Sequence, residues 1–170
     1  MDHIILIGFM GAGKTTIGKK LARRLGRAFA DTDKVVEKEE GRKISEIFAS
    51  DGEAYFRAAE TRALKSLAES PEPLVIACGG GLPIQEVNRP ILKEMGKTVY
   101  LTAQTGTLVM RLSRDTSRPL LQGGDLEEKI AQLKQQREPV YLSAADICVA
   151  TDRRSFASIL DEITEKTAGA

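Results

Sequence analysis

The sequence predicts an α/β fold in which a parallel sheet lies between two layers of helices. Strand-like and helical patterns alternate along the chain, as they do in proteins whose sheet is covered by helices. The strand-like runs lack the polar alternation of a half-exposed strand, so both faces of the sheet must be buried. Because such sheets bind ligands beyond the carboxyl ends of their strands, the residues after each strand are the first candidates for function.

Periodicity and helix-stop signals place the elements in order. The first helix carries Ile17, Leu21 and Leu25 on one stripe and stops at Gly26. The longest helix of the second half contains Pro139, at which it can break. Strands are expected at 3–8, 27–33, 73–78, 97–103 and 146–152. Helices are expected at 14–26, 33–40, 44–50, 51–70, 87–96, 105–114, 126–145 and 155–166.

The composition describes an ordinary globular protein and excludes several classes of partner. The 170 residues are 42% hydrophobic and 29% charged, enough for a single domain over 1–170 with a sizeable core. A net charge of +1 gives no reason to expect nucleic acid or an anionic membrane as a partner, and we expect a monomer. No apolar stretch approaches the roughly 20 residues of a membrane span, and the N-terminal run is typical of a strand rather than a signal peptide.

The cysteines indicate the compartment. Cys78 and Cys148 are far apart and lack the spacing of a zinc site. Such sparse use of cysteine fits a reducing environment, so we expect a cytoplasmic protein. Cys78 ends one strand-like run and Cys148 lies inside another, which predicts that both are small core residues.

The segment GFMGAGKT at 8–15 matches the complete pattern of a phosphate-binding P-loop, after a strand and at the start of a helix. Backbone N–H groups and the helix N-terminus converge there on phosphate oxygens. Lys14 is expected to reach the β and γ phosphates, and the Thr15 hydroxyl to bind Mg²⁺. A glycine-rich turn without a ligand would need neither residue. The residues expected to bind ATP or GTP are Gly11, Ala12, Gly13, Lys14, Thr15 and Thr16.

Asp31 and Asp33 flank Thr32 after the second strand. In an extended stretch this spacing puts both carboxylates on one face. Their mutual repulsion is unfavourable unless each carboxylate has its own cation or hydrogen-bond donor. Asp31 is then expected to face the magnesium through water, and Asp33 an acceptor hydroxyl. The alternative, that Thr32 or Asp33 merely caps the following helix, is equally consistent with the spacing.

Arg57 precedes Glu60 by three residues, so the two share a helix face. One interpretation is an ordinary surface ion pair of little energetic value. The other is a guanidinium that Glu60 holds in place to grip a carboxylate. Phe48 and Phe56 can wall such a pocket, or they can simply pack in the core.

Three consecutive glycines, Gly79, Gly80 and Gly81, follow the third strand. Without side chains they let the backbone lie directly against a small ligand. A loop that merely needs positive φ angles is the alternative, but one or two glycines would satisfy it. The run of three therefore favours close approach to a ligand.

Arginines in the second half of the chain complete the candidate site. Arg111 and Arg118 lie in or beside an irregular basic stretch, which predicts a lid that closes over ATP and brings a cation to the transferring phosphate. Arg137 is a candidate second clamp for a carboxylate. Arg153 and Phe156, after the last strand, are candidate adenine contacts.

Taken in order, these motifs resemble the shikimate kinase family over nearly the whole chain: the P-loop, DTD, FR…E, GGG, RPLL, REPVY and DRR. The resemblance implies a nucleoside monophosphate kinase-like P-loop fold with a five-stranded sheet. It also implies a substrate-binding segment at about 32–62 and a lid at about 112–124. The implied reaction transfers the γ-phosphate of MgATP to the 3-hydroxyl of shikimate, on the route to chorismate.

The resemblance also implies a role for each matching residue. Asp31 and Thr15 match the magnesium side, and Asp33 matches the aspartate that binds the hydroxyls of shikimate. The carboxylate clamp matches Arg57 and Arg137. Lys14 and Arg118 match positions at the ATP phosphates, and Arg111 and Arg153 match positions at adenine. The glycine run matches positions at the substrate: Gly79, Gly80 and Gly81.

Two positions depart from the family pattern, and rival functions remain open. Phe156 stands where the family often has proline, and Leu82 stands where a smaller residue is common at the pocket edge. A gluconate-type sugar-acid kinase is the nearest rival, since it too needs a clamp for a hydroxy acid. A nucleoside monophosphate kinase would need more phosphate-binding arginines. A slowly hydrolysing nucleotide switch lacks support because the guanine signature Asn-Lys-x-Asp is absent.

Overall fold

The computed structural model describes residues 2–115, 121 and 123–169, and the strands within them form one parallel sheet. Its order is β2-β3-β1-β4-β5, which confirms the predicted five-stranded parallel sheet. The strands are β1 His3–Ile7, β2 Ala28–Asp31, β3 Leu74–Ala77, β4 Gly96–Thr102 and β5 Ile147–Ala150. The helices are α1 Lys14–Leu25, α2 Thr32–Glu40, α3 Ile44–Ala68, α4 Asn88–Met95, α5 Thr105–Leu112, α6 Leu126–Ala144 and α7 Phe156–Ala168.

Helices cover both faces of the sheet. Successive side chains of a strand point to opposite faces, so the apolar strands send side chains that need cover to both. Ile5 and Ile7 of β1 enter a core built with α3, α4, α5 and α6. Ile4 and Leu6 enter a second core built with α1 and α7. A third, smaller core around Val36 joins α2 to α3. The three-layer α/β/α arrangement that the apolar strands predict is therefore present.

Glycines mark where the helices begin, end and bend. Gly13 precedes α1 with φ 96°, and Gly26 ends it in the left-handed conformation, with its N–H directed at carbonyls of the last turn. The helices expected at 44–50 and 51–70 join into α3 across a kink at Gly52, where φ is 84° and ψ is 176°. Both parts of α3 share the small core with α2, since Ile47 before the kink and Phe56 after it lie in that core with Val36.

The structure corrects the expectation of a break at Pro139. Helix α6 runs without interruption from Leu126 to Ala144, although proline removes one backbone hydrogen bond. Side chains on either side of it, Arg137 and Tyr141, are buried. The packing of these flanking side chains keeps α6 helical at Pro139, although the proline cannot donate its backbone hydrogen bond.

The cysteines differ in burial. Cys78 lies in the core as expected, but Cys148 is exposed, which corrects the prediction that both are core residues. The reason is that β5 is an edge strand, a position that local sequence does not reveal. Neither cysteine is in a disulfide. In the described part of the chain, no helix has the length and apolar character needed to cross a membrane.

Candidate active site

The candidate residues meet because the sheet order places three strand ends side by side. In the sheet, β3 lies between β2 and β1. Since the strands are parallel, the P-loop after β1, the acidic pair after β2 and the glycine run after β3 emerge at the same edge. Two cavities open there, one of about 190 Å³ over the P-loop and one of about 780 Å³ beside it.

The P-loop and the start of α1 supply half of the residues that line the smaller cavity, and the ends of β2 and β3, with the residues that follow them, supply the rest. Lys14 directs its ammonium at the carbonyl oxygens of Gly8 (2.7 Å) and Phe9 (2.9 Å), so its positive charge lies on the loop itself. Ala12 differs from its neighbours: its side chain is buried in the core, and its N–H donates to the Phe9 carbonyl. The P-loop residues among the lining are Met10, Gly11, Gly13, Lys14, Thr15 and Thr16.

Asp31 joins the P-loop to the segment after β2. One carboxylate oxygen, Oδ2, accepts a hydrogen bond from the Thr15 hydroxyl at 2.9 Å. The other, Oδ1, accepts from the backbone N–H of Asp33, so Asp31 is also the N-cap of α2. The cap is thus Asp31 and neither Thr32 nor Asp33, which corrects the capping alternative raised by the sequence.

Asp33 reaches the site by a different geometry from the one its spacing predicts. Strand β2 ends at Asp31, and Asp33 lies in the first turn of α2 rather than in an extended stretch. The two carboxylates nevertheless reach the same place, because both line both cavities. Asp33 therefore stands where the phosphate cradle and the larger cavity meet.

The larger cavity lies between α2, α3, α6 and the glycine run. Phe48 and Phe56 both line it, with ring centroids 5.0 Å apart. Phe56 is buried and Phe48 packs against the same small core, so both interpretations of these rings hold at once. Leu82 is fully buried in the main core and is not among the residues that line the described cavity, so it does not narrow the pocket edge.

Arg57 is held by two carboxylates and is not a surface ion pair. Its Nη1 donates to Glu60 Oε1 at 3.0 Å and its Nη2 to Glu53 Oε1 at 3.2 Å. The side chains of Arg57 and Glu60 are only 16% and 1% exposed. Burial raises the pKa of Glu60 to about 7, against the opposing effect of the Arg57 guanidinium and with a further increase from nearby Asp33.

Arg137 brings a second buried guanidinium to the cavity from α6. Its side chain lies beside the ring of Phe9, 5.9 Å from guanidinium carbon to ring centroid, and the residue is 7% exposed. Within the described residues, its Nη1 has no hydrogen-bond partner. A buried donor of this kind is costly when it is left unpaired, so it is suited to an anionic ligand in the cavity.

The glycine run makes room for charged side chains. None of the three glycines has a positive φ, which excludes the interpretation that the loop needs left-handed residues. A Cβ atom at Gly79 would lie 2.7 Å from Asp33 Oδ1 and 2.8 Å from Glu60 Oε2. One at Gly80 would lie 3.2 Å from Arg137 Nη1, and one at Gly81 would overlap the Arg57 guanidinium.

Three residues beside the site, the buried Thr32 and Tyr141 and the half-buried Gln85, were missed by sequence reasoning. Thr32 accepts the N–H of Gly79 at 2.9 Å, Tyr141 donates to the carbonyl of Gly80, and Gln85 donates to Glu60 Oε1 at 3.3 Å. Tyr141 had a detectable signal, since it follows Arg137 by one helical turn. Thr32 and Gln85 had none, because their partners are distant in sequence.

The expected adenine contacts are only partly brought together. Arg111 reaches the P-loop and donates to the carbonyl of Gly11 at 3.0 Å. Arg153 is exposed, with a positive φ of 51°. Phe156 is 47% exposed and does not turn into the core; the ammonium of Lys20 lies 4.9 Å from its ring centroid. Arg118 lies outside the described residues, as do 116, 117, 119, 120 and 122 of the expected lid.

Comparisons with known proteins agree with this geometry. The sequence model of the family described as shikimate kinase matches residues 10–168. A curated shikimate kinase of Chromohalobacter salexigens is 44% identical over 167 residues, which are 98% of this chain and 92% of that protein. A solved structure of shikimate kinase from Acinetobacter baumannii in complex with shikimate has a TM-score of 0.95 at 38% identity. The alignment covers 99% of this chain and 94% of that one.

A gluconokinase structure from Sinorhizobium meliloti is similar in fold alone. Its TM-score is 0.61 at 18% identity, over 99% of this chain and 92% of that one. At that identity the likeness carries no information about the acceptor.

Proposed function

The chain belongs to the shikimate kinase family, and we propose that its two adjoining cavities carry out ATP-dependent phosphorylation of the 3-hydroxyl of shikimate. One observation carries the proposal: the cavity over the P-loop and the cavity with the two buried arginines share walls. The shared lining is Met10, Thr15, Asp31, Asp33, Gly79 and Gly80. A phosphate donor in one cavity and an acceptor in the other would face each other across Asp33.

On the nucleotide side, Lys14 and the P-loop amides would neutralise charge on the transferring phosphate. Thr15 and Asp31 fit a magnesium ion, since their hydroxyl and carboxylate oxygens lie 2.9 Å apart beside the cradle. The described residues contain no cluster of three or more His, Cys, Asp or Glu side chains able to hold a metal. This suits an ion that arrives with the nucleotide. When bound, Mg²⁺ supplies further charge neutralisation on the phosphates.

On the acceptor side, Arg57 and Arg137 would bind the carboxylate of shikimate and orient its ring. Both guanidiniums are largely buried, so a charge-assisted hydrogen bond formed there is little screened by water. Asp33 would align the acceptor hydroxyl with the phosphate and accept its proton as the bond forms. Positioning comes first, because phosphoryl transfer depends more on alignment than on proton removal.

Other parts of the proposal come from the sequence. We propose that Arg118 acts as a lid cation at the phosphates and that Arg111 and Arg153 contact adenine. We further propose a single kinase domain with its acceptor segment at about 32–62 and its lid at about 112–124. We also propose a monomer, and a cytoplasmic location, which accords with two cysteines that are in no disulfide.

The test is ADP release from MgATP with no acceptor, with shikimate and with gluconate. We expect negligible release alone, saturable release with shikimate and none with gluconate, because the relative at 44% identity is a shikimate kinase and the gluconokinase is only 18% identical. Saturable release with gluconate instead of shikimate would contradict the proposal and indicate a sugar-acid kinase. Equal release with and without any acceptor would support a hydrolysing nucleotide switch.

A further inference from the structure

We propose that Tyr141 is a positioning residue for the acceptor, and that it acts by holding the glycine run and Arg137 in one arrangement. The inference rests on the proposed function, since it concerns the binding of shikimate in the larger cavity. Tyr141 is not among the residues that line the described cavity, so it acts through residues that do.

The phenol of Tyr141 connects two elements that both border the cavity. Its hydroxyl donates to the Gly80 carbonyl at 2.5 Å, across 61 residues of sequence. Arg137 lies one turn earlier on α6, and its positive charge opposes the rise in the pKa of the phenol. Tyr141 thus links the turn after β3 to α6, the helix that carries the guanidinium that we place on the acceptor.

The space around these atoms leaves little freedom. A Cβ atom on Gly80 would lie only 3.2 Å from Arg137 Nη1, so the run and the guanidinium are close neighbours. A shift of Gly80 would therefore change the place available to Arg137. Because Nη1 has no partner within the described residues, the direction of the guanidinium depends on such neighbours.

The glycine run needs external support, since residues without side chains are the most free to move. Thr32 accepts the N–H of Gly79 at 2.9 Å, and Asn88 donates to the Leu82 carbonyl at 2.9 Å. Both side chains are fully buried. With Tyr141 at Gly80, side chains from α2 and α6 hold two positions of the run, and a side chain from α4 holds Leu82, the residue that follows it.

The environment of Tyr141 suits a permanent donor. Burial raises the pKa of its phenol, so the hydroxyl keeps its proton across the neutral range. Its ring packs against Tyr100 with centroids 5.2 Å apart. Tyr100 is also buried, but its hydroxyl donates to Glu138 Oε1 at 3.3 Å rather than to the glycine run. Tyr100 is therefore a matched control.

The test compares Tyr141→Phe with Tyr100→Phe, each of which removes one buried hydroxyl and keeps the ring. For Tyr141→Phe we expect the KM for shikimate to rise about tenfold, with kcat within about twofold and the KM for MgATP unchanged. Tyr100→Phe should leave the KM for shikimate at the wild-type value. Equal effects in the two variants, or a fall in kcat without a change in KM, would overturn the proposal.

A second pair of variants tests the run from its other side and does not depend on the folding of Tyr141→Phe. Thr32→Val should raise the KM for shikimate, and Thr32→Ser, which keeps the hydroxyl, should restore it. A wild-type KM in Thr32→Val would overturn the proposal. If shikimate stimulates ADP release by the wild type and the variants have the same KM for shikimate, only this inference fails. If shikimate does not stimulate ADP release by the wild type, the proposed function fails as well.

Discussion

Half of the residues that line the cavity over the P-loop lie at 10–16, whereas the larger cavity takes its charged side chains from β2, α2, α3, α6 and the loop between α2 and α3. The first presents a glycine-rich backbone, a lysine and a hydroxyl. The second holds Arg57, Glu60 and Arg137 in or near the core, where each charge depends on its neighbours. The phosphate cradle is thus a local structure, and the acceptor cavity is a cooperative one.

The difference has consequences for mutation. In a local cradle, a substitution should affect nucleotide handling and little else. In a cavity of mutually dependent charges, even a change that touches no ligand should alter acceptor binding, because buried groups left unpaired are costly. Four variants test this contrast.

Asp33→Asn should have the largest effect, because Asp33 lies where the two cavities meet. We expect kcat to fall by about 10²–10⁴, the range for loss of a positioned proton acceptor, while the KM for MgATP stays near the wild-type value. Steady-state kinetics with each substrate varied in turn measure both quantities. A loss of ATP affinity equal to the loss of turnover would show that Asp33 belongs to the cradle instead.

Arg57→Ala should weaken acceptor binding without affecting the cradle. Losing one desolvated, charge-assisted contact should cost about 2–4 kcal/mol, seen as a higher KM for shikimate. Arg89→Ala is the control, since Arg89 also pairs with a glutamate three residues away, but Glu86 is 91% exposed. An unchanged KM in Arg57→Ala would contradict the clamp.

Gly81→Ala should act on the acceptor chiefly by displacing Arg57. The new Cβ would overlap the guanidinium, which must then leave Glu60. We expect the KM for shikimate to rise about tenfold or more, in proportion to one displaced charge-assisted bond, with the KM for MgATP unchanged. Gly169→Ala is the control, because a Cβ there meets nothing within 4 Å. Wild-type kinetics in both variants would mean that the run needs no space for side chains.

The smallest expected effect is a pH dependence from Glu60. Its pKa is raised to about 7, so the carboxyl loses its proton near neutrality. The ionised form neutralises Arg57 and repels an anionic acceptor, so the KM for shikimate should rise a few-fold from about pH 6 to pH 8. KM measured across that range, in the wild type and in Glu60→Gln, should show a slope only in the wild type. An equal slope in both would assign the titration elsewhere.

The same group predicts how stability changes with pH. A folded-state pKa above the ordinary value of 4.5 means that the folded protein binds more protons than the unfolded chain between about pH 4.5 and 7. The contribution of Glu60 to stability is therefore fully present below this window and is lost as pH rises through it. Melting temperatures of Glu60→Gln should lack this part of the pH dependence.

Most of the fold and the nucleotide side were predictable from sequence. The P-loop is a contiguous motif with its own backbone geometry, and apolar strands between amphipathic helices report burial on both faces. Asp33, Arg57, the glycine run and Arg137 were predicted individually, and the structure brings them to one cavity. Their mutual contacts were not predictable, because the segments are joined only by the order of the strands.

By itself, the sequence determined the alternation of elements, the phosphate cradle and the residue types that follow each strand. Only the tertiary structure decided that Asp31 caps α2, that Glu60 is buried with a raised pKa and that the glycines make room for charges. It also decided that Cys148 is exposed on an edge strand. The physical reason is that periodicity and spacing report neighbours within a few residues along one element. Burial and pairing between elements instead depend on which strand lies beside which.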